Sequence, residues 1–261
     1  MYLDLSYINL KRAEDRRECI EKSIRDAHFS NDIVAQRFEA IEGTHELVKG
    51  IKSPLLPNEV ACFVSHRECL KSFLHNENHL MIAEDDAVFS PKTEYFVNDA
   101  IKQLDEQSWD ILFTDLVITH VQHMAALINQ KKQLSSGLVS LINISETKMP
   151  FFGTTCYIIN GKSKHKIANF FSSQTTLPIA YDSLLRIMIH EKKILGFFQF
   201  PFTTTLSELG DRATSTIYPG DRGTPTTSPE SHTMLSTQLS CFQAWSDFRR
   251  VFWIGNPTLN F

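Results

Sequence analysis

Short apolar runs alternate with longer amphipathic stretches along this chain. Residues 2–10 are apolar and suited to β structure, which predicts a first strand. Residues 11–27 carry Glu, Lys and Arg, with Ile20, Ile24 and Ala27 at helical spacing, so they read as an amphipathic helix. Residues 34–41 predict a second strand, ended by Glu42 and Gly43, and this strand–helix–strand opening predicts a parallel sheet. Pro57 and Asn58 begin another helix with Asn58 as its N-cap and Val60, Phe63, Val64, Leu70, Phe73 and Leu74 as its buried stripe. Leu80, Met81, Ile82 and Ala83 are apolar on both faces, the mark of a central strand. A helix over 94–104, a strand over 109–116 and a helix over 121–134 follow. Strands are then expected over 138–144 and 151–159, helices over 161–171 and 181–192, and a last strand over 194–200. Residues 203–238 turn to Thr, Ser, Pro and Gly and predict a long loop or lid. Residues 241–253 are aromatic and basic and predict a closing helix. No internal repeat is visible.

Composition narrows the function classes. A chain of 261 residues suits one large α/β domain, or one with a smaller appended lobe. Its 42% hydrophobic and 21% charged content is that of a soluble globular protein, and its 19 Phe support a sizeable core. The net charge of −4 argues against a duplex nucleic-acid partner, which calls for a basic excess. The five cysteines are scattered, with no Cys-x-x-Cys, which implies reduced thiols and a cytoplasmic setting rather than a disulfide framework or structural zinc. No apolar run approaches a membrane span, and the N-terminus lacks the basic stretch of a signal peptide.

The predicted central strand ends in three consecutive carboxylates, Glu84, Asp85 and Asp86. They would repel one another unless a cation or hydrogen-bond donors hold them, and in open α/β sheets ligands bind at that end of a strand. Oxygen-only donors suit a hard ion, Mg²⁺ or Mn²⁺, with positions left for substrate phosphates. The plainer alternative is an acidic turn facing water. The trio resembles the Asp-any-Asp motif of nucleotide-sugar glycosyltransferases.

Three segments in order resemble glycosyltransferase family 25, which includes bacterial lipooligosaccharide galactosyltransferases. They are Tyr7-Ile8-Asn9-Leu10 leading to Asp15-Arg16-Arg17, then Leu56-Pro57-Asn58-Glu59-Val60-Ala61-Cys62 leading to Ser65-His66, then the acidic trio. A fourth match is Phe152-Gly153-Thr154-Thr155-Cys156-Tyr157, followed by Pro178 and Asp182. Asn58 and Ala61 stand where the family tends to have Gly.

The resemblance implies a GT-A-like α/β fold: a Rossmann-type, mostly parallel sheet with flanking helices and an acceptor-side subregion. A nucleotide-sugar-binding half over 1–116 and an acceptor-side half over 117–261 are expected within one domain. It further implies transfer of a hexose, galactose by preference, from a UDP-sugar to a lipid-linked oligosaccharide acceptor, with peripheral contact on the inner face of the inner membrane. Asp86 is then the leading metal ligand, with Glu84 toward the ribose or the metal; Asp85 either helps or is a structural acid. Asn9 contacts uracil or ribose, or is a turn residue capping the next helix. Arg16 reaches a phosphate or uracil, or is a solvated surface arginine. Ser65 and His66 match a family motif and are assigned to the donor site, though a lone helical histidine is more often structural.

Glu59, Cys62, His66 and Cys69 share one helical face with no matching metal partners elsewhere, so both cysteines are read as small core residues. Asp182 leads as general base, with the stabilising acid of a helix N-terminus as the alternative. Glu208 and Asp211 are second choices, and His232 is a candidate for the metal shell. Nucleotidyl transfer on a sugar phosphate, or a non-catalytic glycan-binding role, are the rival functions.

Overall fold

The structure is a computed structural model that describes residues 3–118, 120–133, 139–200 and 203–206. Its elements in chain order begin β1 (Leu3–Asn9), α1 (Glu14–Asp26), β2 (Ile33–Glu39), α2 (Glu46–Lys49), α3 (Pro57–Ser72), β3 (His79–Glu84), β4 (Ala87–Phe89) and α4 (Thr93–Leu104). They continue with β5 (Ile111–Phe113), β6 (Val117–Ile118), α5 (Val121–Gln133), β7 (Ser140–Asn143), α6 (Ile144–Thr147), β8 (Phe151–Phe152) and β9 (Cys156–Ile159). A 3-10 turn (Gly161–Ser163), α7 (Lys164–Ser172), α8 (Tyr181–His190), β10 (Gly196–Phe200) and β11 (Thr204–Leu206) complete the described chain.

Among the described residues the main sheet has seven strands in the order β2-β1-β3-β9-β5-β10-β7. β1 runs parallel to β2 and β3, and β10 parallel to β5. β9 is antiparallel to both β3 and β5, so β5 points the same way as β3; β7 is antiparallel to β10. Five strands therefore deliver their C-terminal ends to one edge. The expected mixed α/β fold with a mostly parallel sheet is borne out.

Leu80, Ile82 and Ala83 have no exposed surface, because helices cover both faces of the sheet. On one face Leu80, Ile82 and Tyr157 pack with Phe63 and Val64 of α3, Phe171 of α7 and Leu185 of α8. On the other, Leu5, Met81, Ala83 and Ile158 pack with Ile20 of α1 and Val97, Ile101 and Leu104 of α4. Both-face burial is what an uninterrupted apolar strand requires.

Some boundaries differ from the sequence reading, each for a local reason. The N-cap of α3 is Leu56 rather than Asn58. Pro57 takes the first helical position, where its missing N–H costs nothing, and the Glu59 carboxylate accepts the Leu56 N–H at 2.9 Å. Regular pairing over 109–116 is confined to β5, and the strand expected over 138–144 gives way to α6, whose first turn is capped by the Asn143 side chain.

The strand expected over 151–159 is two strands. Gly153 sits between them at φ +82°, a left-handed conformation that breaks the pleat and sends β8 to pair with β6 while β9 enters the main sheet. The helix over 161–171 begins as a 3-10 turn at Gly161, where an added Cβ would meet the Glu77 carbonyl oxygen at 1.9 Å.

β10 is not the last strand. Thr204–Leu206, at the start of the expected loop, pairs antiparallel with β4 immediately after the acidic trio. Glu208, Asp211, His232 and the 241–253 segment lie outside the described residues. Among the described residues no helix is long and apolar enough to cross a membrane.

Candidate active site at the C-terminal edge of the sheet

The end of β3 splits its three acids between two sets of partners. Glu84 turns toward α3. Its Oε1 accepts the Thr154 hydroxyl at 2.6 Å and lies 3.6 Å from His66 Nε2. His66 is fully buried, its ring stacked on Tyr181 at 4.5 Å between centroids, and its Nδ1 is 2.8 Å from the Tyr157 hydroxyl. That hydroxyl is in turn 2.8 Å from the Tyr181 hydroxyl. A continuous polar chain Glu84–His66–Tyr157–Tyr181 thus runs through an otherwise apolar layer. Burial pushes the Glu84 carboxyl up, but His66, Thr154 and Arg16 outweigh it and hold the group below its usual range.

Asp85 and Asp86 turn toward α1. Arg16 Nη2 lies 2.9 Å from Asp85 Oδ1 and 3.0 Å from Asp86 Oδ2, so one guanidinium nitrogen bridges two carboxylates. Asn9, at the end of β1, donates its amide to Asp85 Oδ2 at 2.8 Å and to the Ala13 carbonyl at 3.0 Å. Burial raises the Asp85 carboxyl despite Arg16 and Asn9. Asp86 is pushed up to about 7, by burial first and then by the charges of Glu84 and Asp85, against Arg16. Its Oδ1 is buried and has no hydrogen-bond partner among the described residues, and the same holds for Arg16 Nε.

Seven of the predicted site residues are therefore brought to one edge of the sheet: Asn9, Arg16, His66, Glu84, Asp85, Asp86 and Asp182. Asn9 is 1% exposed and spends its polar atoms inside the protein; its Oδ1 accepts Arg37 Nε at 3.1 Å. Ser65 is buried and faces elsewhere, donating to the Ala61 carbonyl at 2.7 Å and accepting the Ile41 N–H at 2.9 Å. Asp182, in the first turn of α8, accepts the Gly153 N–H at 3.0 Å and the Ser183 N–H at 2.6 Å. It thereby ties the helix to the turn that presents Thr154 to Glu84.

The sequence reading passed over Arg37, Thr154, Tyr157 and Tyr181. Thr154 and Tyr157 lie in the fourth family-like segment, which was matched as a motif without a role being assigned to either residue. Buried Asp115, which follows the C-terminal end of β5, was also missed.

The α3 face also resolves differently from its sequence reading. Cys62 is half-buried, and its sulfur, His66 and Glu84 offer three ligand atoms all within 4.8 Å of one another, so β3 does supply a partner to that face. Burial, together with Glu84, Asp182 and Asp86, keeps the Cys62 thiol neutral. Cys69 is apart from them, fully buried against Ser6 at 3.3 Å.

The carboxylate donors at the strand end are all oxygen, and one of them is buried without a hydrogen-bond partner among the described residues. That combination fits a hard divalent cation better than a soft one. In open α/β sheets ligands bind at the C-terminal edge of the strands, and that is where the carboxylates after β3 and Arg16 of the first helix meet.

The chain belongs to glycosyltransferase family 25 (LPS biosynthesis protein), whose family model matches residues 6–185. Glycosyl transfer is the chemistry this membership supports. No curated protein matches the chain. Among solved structures, that of mouse xyloside xylosyltransferase 1 in its apo form is similar at 9% identity and a TM-score of 0.33, over 75% of this chain and 64% of that one. The chain thus spans less than two thirds of that structure's length.

Proposed function

We propose that this protein is a metal-dependent, inverting glycosyltransferase that moves a hexose, galactose in the first instance, from a UDP-sugar to a lipooligosaccharide or lipopolysaccharide acceptor. The acceptor is lipid-linked, which places the reaction at the cytoplasmic face of the inner membrane, with the protein in peripheral contact. The observation that carries this reading is Asp86. Its buried oxygen, without a hydrogen-bond partner among the described residues, sits in a carboxylate trio on the C-terminal edge of the sheet, in a chain of family 25.

Asp86 and Glu84 are the residues that would hold Mn²⁺ or Mg²⁺. When bound, such an ion stabilises the charge gained by the departing diphosphate. The protein's own groups orient the reactants. Asn9, at the end of β1 and held by Arg37, fixes Asp85, and His66 and Thr154 fix Glu84 from the opposite side. Positions held this way turn binding energy into alignment. Arg16 is the cation that would meet the donor diphosphate, and Ser65 supports the site indirectly by anchoring α3 to the segment after β2. Asp182 takes the proton from the acceptor hydroxyl; both its oxygens accept backbone N–H groups, and each keeps a further lone pair for that role.

The test is thermal stabilisation by a panel of nucleotides with and without Mn²⁺. UDP should raise the melting temperature more than GDP, ADP or CMP, and more with Mn²⁺ present. Ligand at about 100 times its Kd adds roughly 2.7 kcal/mol. Equal shifts for all four nucleotides would remove the donor assignment.

A further inference from the structure

Four arginines rim the edge where β1 ends, and among the described residues three of them make no direct contact with the acidic trio. Arg12 pairs with Glu42, Arg17 lies 3.8 Å from Glu21, and Arg37 holds Asn9 and approaches Glu39 at 3.7 Å. Arg16 alone among these four reaches Asp85 and Asp86, and all three side chains are largely shielded from water, at 16%, 10% and 14% exposure. The contact uses only Nη2, while Nε is buried without a partner among the described residues. A guanidinium has five donors in a fixed fork suited to phosphate oxygens, and the Nε–H of Arg16 has no acceptor among the described residues.

A divalent cation arriving at Asp86 would face this guanidinium at close range in a poorly hydrated setting. Two like charges there repel strongly, so one has to leave or find an anion between them. A nucleoside diphosphate supplies such an anion: its oxygens can accept the Arg16 fork while its negative charge separates the two cations.

We propose that Arg16 is an exchangeable internal counterion, holding Asp85 and Asp86 until a divalent cation takes the carboxylates and then passing to the diphosphate of the donor. This inference rests on the metal and nucleotide reading given above and deepens it. The consequence is obligatory synergy. The cation alone binds weakly because it must dislodge Arg16, and nucleotide alone binds weakly because Arg16 is engaged elsewhere. Together they bind tightly, and by linkage each strengthens the other by the same factor.

The experiment measures Mn²⁺ affinity by titration calorimetry and by the electron paramagnetic resonance of free Mn²⁺, with and without UDP. It compares the wild-type protein with Arg16→Gln and Arg16→Lys. Glutamine removes the competing charge. Mn²⁺ alone should then bind about 10-fold tighter or more, and the gain on adding UDP should shrink by a similar factor, within the usual range of couplings. Mn²⁺ alone should also raise the melting temperature of Arg16→Gln more than that of wild type, since it replaces the missing counterion.

Lysine keeps the charge but cannot fork, so it should fall between the two. If Arg16→Gln does not fold, Arg16→Lys carries the test by binding Mn²⁺ alone several-fold tighter than wild type. Unchanged or weaker Mn²⁺ affinity in the folded variants, with the UDP gain intact, overturns the exchange while leaving the metal reading standing. Absence of Mn²⁺ binding to every protein, even with UDP, overturns the metal reading and this inference with it.

Discussion

At the scale of single residues, adjacent carboxylates in the sequence are held by different parts of the molecule. Glu84 is stabilised as an anion by His66 and Thr154, whereas Asp86 is pushed up to about 7 by burial and by Glu84 itself. A carboxyl raised in the folded state binds more protons folded than unfolded. Its penalty is absent below its unfolded value near 4 and grows as pH rises through about 7. In protein stripped of divalent cations, Asp86→Asn should therefore be more stable than wild type at pH 8, by on the order of 2 kcal/mol, with the advantage fading toward pH 4–5. Melting curves in EDTA across that range check the sign; a variant less stable than wild type at pH 8 would contradict it. The same substitution should abolish Mn²⁺ binding and transfer, so stability and function separate at one atom. The trio itself was legible in the sequence because three acids directly after an apolar strand break the hydrophobic pattern. Of its partners, Asn9, Arg16 and His66 came from the family motifs, and the others were not assigned. Arg37, Tyr157 and Tyr181 meet the site only through strand pairing and helix packing, which no local spacing records.

At the scale of elements, the turn between β8 and β9 connects the two sides of the site. Gly153, in its left-handed conformation, gives its N–H to Asp182, and the next residue gives its hydroxyl to Glu84. Asp182→Asn keeps the size of the side chain and its one oxygen can still accept from Gly153 at the expense of the Ser183 N–H, but it cannot take a proton. The acceptor-dependent rate should fall by roughly 10²–10⁴-fold while UDP and Mn²⁺ binding stay near wild type. Steady-state kinetics beside calorimetry separate the outcomes, and loss of UDP affinity or of folding would make Asp182 a tether rather than a base. β1, α1, α3, β3 and α4 were readable from apolar period because each buries an apolar face. β4 and β11 were not, since three residues carry too little pattern; nor was the break at Gly153, which depends on a backbone angle. Likewise, alternation of apolar residues cannot tell a parallel strand from an antiparallel one, so the reversed direction of β9 had no signal in the chain.

At the scale of the whole molecule, β9 matters most. It comes from the second half of the chain yet lies between β3 and β5 of the first half, bonded to both. Fragments 1–116 and 117–261, made separately, should each fail to give a cooperative melting transition, because neither can complete the sheet. Mixing or co-expressing them should recover one, with circular dichroism as the readout. During synthesis the same geometry sets a schedule. When the ribosome has released the acidic trio and β5, the slot between β3 and β5 is still open, two apolar strand edges face each other without a filler, and Glu84 lacks Thr154. Such edges invite pairing with other chains until they are covered. The facing edges of β3 and β5 therefore wait for residues 156–159 to be translated, and the same stretch of chain brings the Thr154 hydroxyl to Glu84.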